Sequence, residues 1–160
     1  MSEKKLDHEF YMGVAIEMAK RASDNGEVPI GAVVVDGAGE IISKACNEIE
    51  KIGCQTGHAE ILAIQSACEK VDGWRLDDCW LYVTLEPCSM CMGLITLSRI
   101  GGLVYGASSP LFGAEELDES PYDSVYKERL EVVKGLKAVE SADILKQFFG
   151  EKRAERRGRA

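Results

Sequence analysis

His58 and Glu60, separated by Ala59, and Cys88 and Cys91, three positions apart behind Pro87, are the side chains whose types and spacing could do chemistry together. Two thiolates and a neutral imidazole suit Zn²⁺, and three protein ligands leave the fourth position of a tetrahedral ion open to water. Glu60 is not needed as a ligand, so it can carry a proton. Zinc lowers the pKa of bound water from about 15.7 towards roughly 7, and a positioned general acid/base adds roughly 10²- to 10⁴-fold. The reaction these groups suit is attack of water on an amidine-like ring carbon bearing an exocyclic amine. Glu60 would take the water's proton and deliver it to the ring nitrogen and then to the departing ammonia. The same residues allow a second arrangement, in which Cys54 joins His58, Cys88 and Cys91 to close a structural zinc knot. A single Cys-x-x-Cys, preceded by Pro87, and the acid just after His58 favour the open, catalytic site.

These four residues dictate what must hold them. At the start of a helix, Cys88 and Cys91 project from one face, and the positive helix N-terminus favours their thiolates. Side chains two apart on a helix point to opposite sides, so His58 and Glu60 can reach one ion only from a first turn, which Gly57 permits. Helices are therefore expected over 57–68 and from Pro87 onward. Leu6, Phe10, Val14, Met18 and Ala22 recur every four residues and predict a helix over 6–23, stopped by Asp24-Asn25-Gly26. Residues 29–35 and 40–45 read as a hairpin across Asp36-Gly37-Ala38-Gly39, and 79–85 and 103–107 as further strands. A weaker strand is expected at 130–133, after an acidic loop, and a helix at 142–157. Strands alternating with helices give a three-layer α/β domain with a mostly parallel or mixed sheet.

At 160 residues, 46% of them apolar, the chain is expected to form one domain over 1–160 with an adequate core. No run approaches the roughly 18 to 20 apolar residues of a membrane span, and Met1-Ser2-Glu3-Lys4-Lys5 leads into polar sequence, so a cytoplasmic protein is expected. Cys46, Cys68 and Cys79 read as free thiols acting as small hydrophobes, and His8 as a solvated or capping residue. The net charge of −8 excludes polyanion binding by bulk electrostatics, so any nucleic-acid surface must be local. Residues 151–160 carry +3, which leaves −11 for the remainder. That tail could hold RNA backbone, or be a solvated helix end with cations opposite the dipole. Phe148 and Phe149 could stack on bases or anchor the last helix to the core.

His-x-Glu with Pro-Cys-x-x-Cys is the signature of zinc-dependent nucleobase deaminases, and with those residues the chain resembles the cytidine-deaminase-like superfamily, in particular its bacterial tRNA adenosine deaminases. The likeness runs through Glu27-Val28-Pro29-Ile30-Gly31-Ala32-Val33, Asn47, His58-Ala59-Glu60-Ile61, 81–88, Ser98-Arg99-Ile100, Val104-Tyr105-Gly106-Ala107 and the basic end with Phe148-Phe149. The resemblance implies a three-layer α/β/α fold around a mixed five-stranded sheet, and a homodimer with one zinc per protomer held by His58, Cys88 and Cys91. It implies Glu60 as the catalytic acid/base, Asn47 contacting the base or ribose, and Val28 and Ala59 lining the pocket. The substrate it implies is the wobble adenosine of a tRNA anticodon loop. Two segments depart from the family pattern. Ser108-Ser109-Pro110-Leu111-Phe112-Gly113 replaces a charged, small-residue loop, and Cys54-Gln55-Thr56-Gly57 replaces Asp-Pro-Thr-Ala. The apolar Leu111-Phe112 pair, the acids after it, and Trp74-Arg75-Leu76-Asp77-Asp78-Cys79 suit the alternative of a deaminase for a free base or nucleoside such as guanine, cytosine or cytidine. A non-catalytic zinc-stabilised module is the third reading.

Overall fold

The structure, a computed structural model, describes residues 5–114 and 130–159. Asp7 accepts from the Phe10 amide (3.1 Å) and starts α1 (His8–Asp24). A hairpin of β1 (Gly31–Val35) and β2 (Ile41–Cys46) follows, then a single turn α2 (Ile49–Ile52) and a 3₁₀ turn (Gln55–Gly57). After these come α3 (Ala59–Val71), β3 (Trp80–Leu85), α4 (Ser89–Leu97), β4 (Gly102–Ala107), β5 (Glu131–Val133) and α5 (Ala138–Gly158). The strands form one five-stranded sheet in the order β2-β1-β3-β4-β5. β1 pairs antiparallel with β2 and β3, while β3–β4 and β4–β5 are parallel, so the sheet is mixed.

Register decides which residues reach each face. Val34, Leu81 and Leu103 stand side by side across β1, β3 and β4, and pack with Ala63, Ile64 and Ala67 of α3 and Ile95 of α4. One position away, Val33, Tyr82, Val104 and Val133 form a row on the opposite face against Tyr11, Met12 and Ile16 of α1 and Ile144 of α5. Because side chains alternate across a strand, the near-continuous apolar runs of β1, β3 and β4 bury both faces. Helices on both faces make the three-layer α/β/α arrangement. Gly31 lets α1 press onto the sheet, since a Cβ there would lie 2.6 Å from the Ala19 nitrogen and closer still to the Ala15 carbonyl.

Three expectations change. The helix anticipated from Pro87 begins at Ser89, because Cys88 is its extended N-cap. The last helix begins at Ala138, four residues earlier than its periodicity suggests, behind Lys137 in the left-handed conformation (φ 53°). His8 is no cap: its Nδ1 lies 2.8 Å from the Tyr82 hydroxyl and its ring packs on Trp80 at 4.9 Å. The acidic stretch 115–119 lies outside the described residues.

Candidate metal and proton-transfer site

Two helix starts meet at the site. His58 is the N-cap of α3 (φ −62°, ψ 140°) and Cys88 the N-cap of α4 (φ −75°, ψ 172°). Neither side chain caps its own helix; both turn instead towards each other. Cys91 follows in the first turn of α4 and Glu60 in the first turn of α3. Cys91 Sγ lies 3.4 Å from His58 Nδ1 and Cys88 Sγ lies 3.8 Å from it, and all three ligand atoms fall within 4.8 Å of one another. Tetrahedral bonds of about 2.3 Å to sulfur and 2.0–2.1 Å to nitrogen would place N and S about 3.5 Å apart and the two sulfurs about 3.8 Å apart. The N and S separations thus match a closed-up tetrahedral ligand set with little movement. The other imidazole nitrogen, Nε2, lies 3.2 Å from Gln55 Oε1. If Nε2 donates that bond, Nδ1 keeps its lone pair for a metal.

Glu60 is 4% exposed, with Oε2 3.0 Å from Cys91 Sγ and 3.9 Å from His58 Nδ1. It stands beside the trio and leaves the ligand set complete without it. Burial raises the Glu60 carboxyl above the usual carboxylate range. The Cys91 thiol donating to Cys88 lowers Cys88 to about 5, and the same bond together with burial keeps the Cys91 proton in place. The positive ends of both helices add to the stabilisation of a thiolate there. Cys54 is exposed and takes a bond from the Thr56 hydroxyl (3.2 Å), so it does not join the cluster.

Asn47 and Val28 line a cavity of about 800 Å³, with Gln55, Phe148 and Phe149, and with Lys152, Arg153 and Arg156 from α5. Asn47 is 2% exposed, and among the described residues its Oδ1 has no hydrogen-bond partner. Ala59, 1% exposed, packs in the core beside Ala63 and is not among the residues lining that cavity. A larger hollow of about 1150 Å³ lies at the opposite ends of β3 and β4, around Trp80 and Gly101, away from the cluster. Three residues near the site lie in segments that the family likeness covers or departs from, yet the sequence gives them no role: Gln55 behind His58, Glu27 buried beside α2, and Glu86. Glu86 accepts from the Ser109 amide (3.0 Å) and holds the turn after β4, whose Gly113 forms a β-bridge with Cys88.

The model of the MafB19-like deaminases matches residues 6–153. The tRNA-specific adenosine deaminase of Bacillus subtilis (strain 168) is 43% identical over 150 residues, which cover 93% of this chain and 92% of that protein. The chain belongs to the tRNA-specific adenosine deaminase family. A structure solved in a study of A-to-I editing by tRNA:A34 deaminases superposes with a TM-score of 0.76 at 40% identity, over 85% of this deaminase and 99% of that chain. A guanine deaminase from Nitrosomonas europaea superposes with a TM-score of 0.78 at 25% identity, over 90% and 85% of the two chains. Membership in this deaminase family agrees with the mixed five-stranded sheet and the His-Cys-Cys cluster.

Proposed function

We propose that the chain is a single deaminase domain that converts adenosine to inosine at the wobble position of tRNA, using one zinc per protomer held by His58 Nδ1, Cys88 Sγ and Cys91 Sγ. The observation that carries this reading is Glu60, a buried carboxyl 3.0 Å from Cys91 Sγ yet outside the ligand trio. Zinc, when bound, supplies Lewis acidity and makes water acidic enough to attack near neutral pH. Burial raises the Glu60 carboxyl and so favours its protonated form, which helps the residue hold the proton that it takes and then gives. Glu60 takes a proton from the attacking water and places it on the ring nitrogen. It then takes the second proton and hands it to the exocyclic amine as the carbon–nitrogen bond breaks. One water is consumed, a carbonyl replaces the amine, and ammonia leaves. Asn47 Oδ1 receives a donor from base or ribose and Val28 forms a wall of the pocket, while Ala59 lies in the core outside its lining.

The RNA reading is supported by the lining of the same cavity. Lys152, Arg153 and Arg156 face it together with Phe149, which is 44% exposed, so cations and a stacking surface gather locally on a chain of net charge −8. A second copy is proposed to cover the α3–α4 face, where Trp74 (58% exposed), Leu97 (50%) and Met90 (42%) leave an apolar patch. Among the described residues no helix is long and apolar enough to cross a membrane, and a cytoplasmic location is proposed together with the tRNA substrate.

A second reading, deamination of a free base or nucleoside such as guanine, cytosine or cytidine, is favoured by one feature. The turn beside Cys88 presents Leu111 (85% exposed) and Phe112 (71%) and carries no cation between Ser108 and Gly113. Zinc-loaded protein is incubated with an anticodon stem-loop and, separately, with free bases and nucleosides, and ammonia is measured. Release from the stem-loop is the expected result. An untouched stem-loop with one free base turned over selects the second reading, and no ammonia from any substrate selects a non-catalytic zinc module.

A further inference from the structure

We infer that Glu27 is a positioning residue: its carboxylate caps α2 from across the chain and so fixes the segment that carries Asn47 and Gln55 at the edge of the cavity and leads into His58. α2 has four residues, none of them buried, and its N-cap residue Glu48 makes no side-chain cap bond. One helical turn cannot hold itself in water, because nucleation costs more than a single turn returns. Its free amides at the second and third positions ordinarily bond the side chain of the N-cap residue. Here Glu27 takes that place. The Glu50 amide donates to both carboxylate oxygens (2.5 and 3.1 Å) and the Lys51 amide to Oε1 (3.3 Å). Glu48 points outward to Lys51 Nζ at 3.5 Å.

Glu27 is 3% exposed, and a carboxylate so buried is tolerated when its oxygens are bonded. What it ties together is informative. Gly26 and Val28, on either side of it, line the cavity, and so do Ile49 and Glu50 of the helix it caps. One carboxylate therefore clamps two walls. The clamp extends to the metal ligand: the Asn47 amide bonds the Ile30 carbonyl (3.0 Å), and the Glu48 amide bonds the carbonyl of Gly57 (2.8 Å), the residue before His58. A Cβ on Gly57 would sit 2.8 Å from Ile49 N, so α2 and the approach to His58 are in direct backbone contact. Glu27 itself touches none of the reacting groups. That this cavity receives substrate rests on the proposed function; the link from Glu27 to His58 does not.

The test compares Glu27→Ala, Glu27→Gln and the double variant Glu27→Ala with Glu48→Asp, in which an aspartate at the N-cap offers its own acceptor to the Glu50 and Lys51 amides. KM and kcat are measured with whichever substrate releases ammonia, and zinc release to a chelator is timed on the same preparations. Glu27→Ala should raise KM about fivefold, the loss expected of a helix cap, with kcat reduced less and zinc release several-fold faster. The double variant should return both towards wild type. A wild-type KM and release rate in folded Glu27→Ala overturns the inference, as does a double variant that regains thermal stability without regaining either. If Glu27→Ala does not fold, Glu27→Gln carries the test: KM and release both raised uphold it, and both unchanged overturn it. Zinc release needs no substrate, so failure of the tRNA reading alone leaves the test intact.

Discussion

Gly113→Ala puts the smallest possible change beside the metal site. A Cβ at residue 113 would lie 2.6 Å from Glu86 Oε1, and nearer still to Cδ and Oε2, whereas ordinary contact begins at 3.4 Å. Glu86 or the turn must therefore give by more than 0.8 Å. Glu86 is 6% exposed and its Oε1 holds the Ser109 amide at 3.0 Å, while the Gly113 amide bonds the Ser109 carbonyl at 2.8 Å and the Ala114 amide bonds the Pro87 carbonyl at 3.0 Å. Losing one hydrogen bond to a charged group costs about 1.5–3 kcal/mol. For a domain of this size that corresponds to a Tm lower by about 3–12 °C. Gly113 also bridges Cys88, and metal–ligand distances tolerate only about 0.2 Å, so zinc affinity should fall about 10- to 100-fold. Thermal melts with and without zinc and chelator competition measure both effects. Gly13→Ala is the control: it lies in α1 with nothing within 4 Å of an added Cβ and should stabilise by about 0.5–1 kcal/mol. A Gly113→Ala protein that melts within a degree of wild type and holds zinc equally well refutes the reasoning.

Other outcomes follow from the same geometry. Asn47→Ala removes a buried acceptor that has no partner among the described residues, so Tm should hold or rise while kcat/KM falls about 10- to 100-fold; a lower Tm with unchanged kcat/KM would contradict this. Burial raises the Glu60 carboxyl, so in zinc-stripped protein the stability associated with its neutral form is complete below the unfolded value of 4.5 and drains away as pH rises towards the folded one. Stripped Glu60→Gln should accordingly melt above stripped wild type at pH 8, with the gap closing near pH 4, and parallel curves would argue against a costly buried charge. Arg153→Glu with Arg156→Glu should weaken stem-loop turnover and flatten its dependence on salt, leaving turnover of a free nucleoside unchanged; an unaltered salt slope would assign the tail to a solvated helix end.

The sequence displayed the chemistry more clearly than its supports. The His58, Glu60, Cys88 and Cys91 spacing and the β-branched runs of β1, β3 and β4 were legible because ligand type and two-sided burial leave direct marks on composition. α2 left none: a single turn with no buried residue has no periodicity, and its cap comes from Glu27, 23 positions before Glu50. Gln55 reaches His58 Nε2 through a local turn and no recognisable motif. Pro87 suggested a helix start two residues too early, because Cys88 must stay extended for its sulfur to face His58. His8 shows nothing of its role in local sequence, because its partners, Tyr82 and Trp80, lie on a strand more than seventy residues away.

Glu60→Gln keeps shape and ligands and removes the proton carrier. Zinc content and ammonia release, measured on one preparation with the substrate that wild type turns over, test the central claim most directly. One zinc per protomer with turnover reduced about 10²- to 10⁴-fold is the predicted result. Full zinc with turnover within a few-fold of wild type would contradict it.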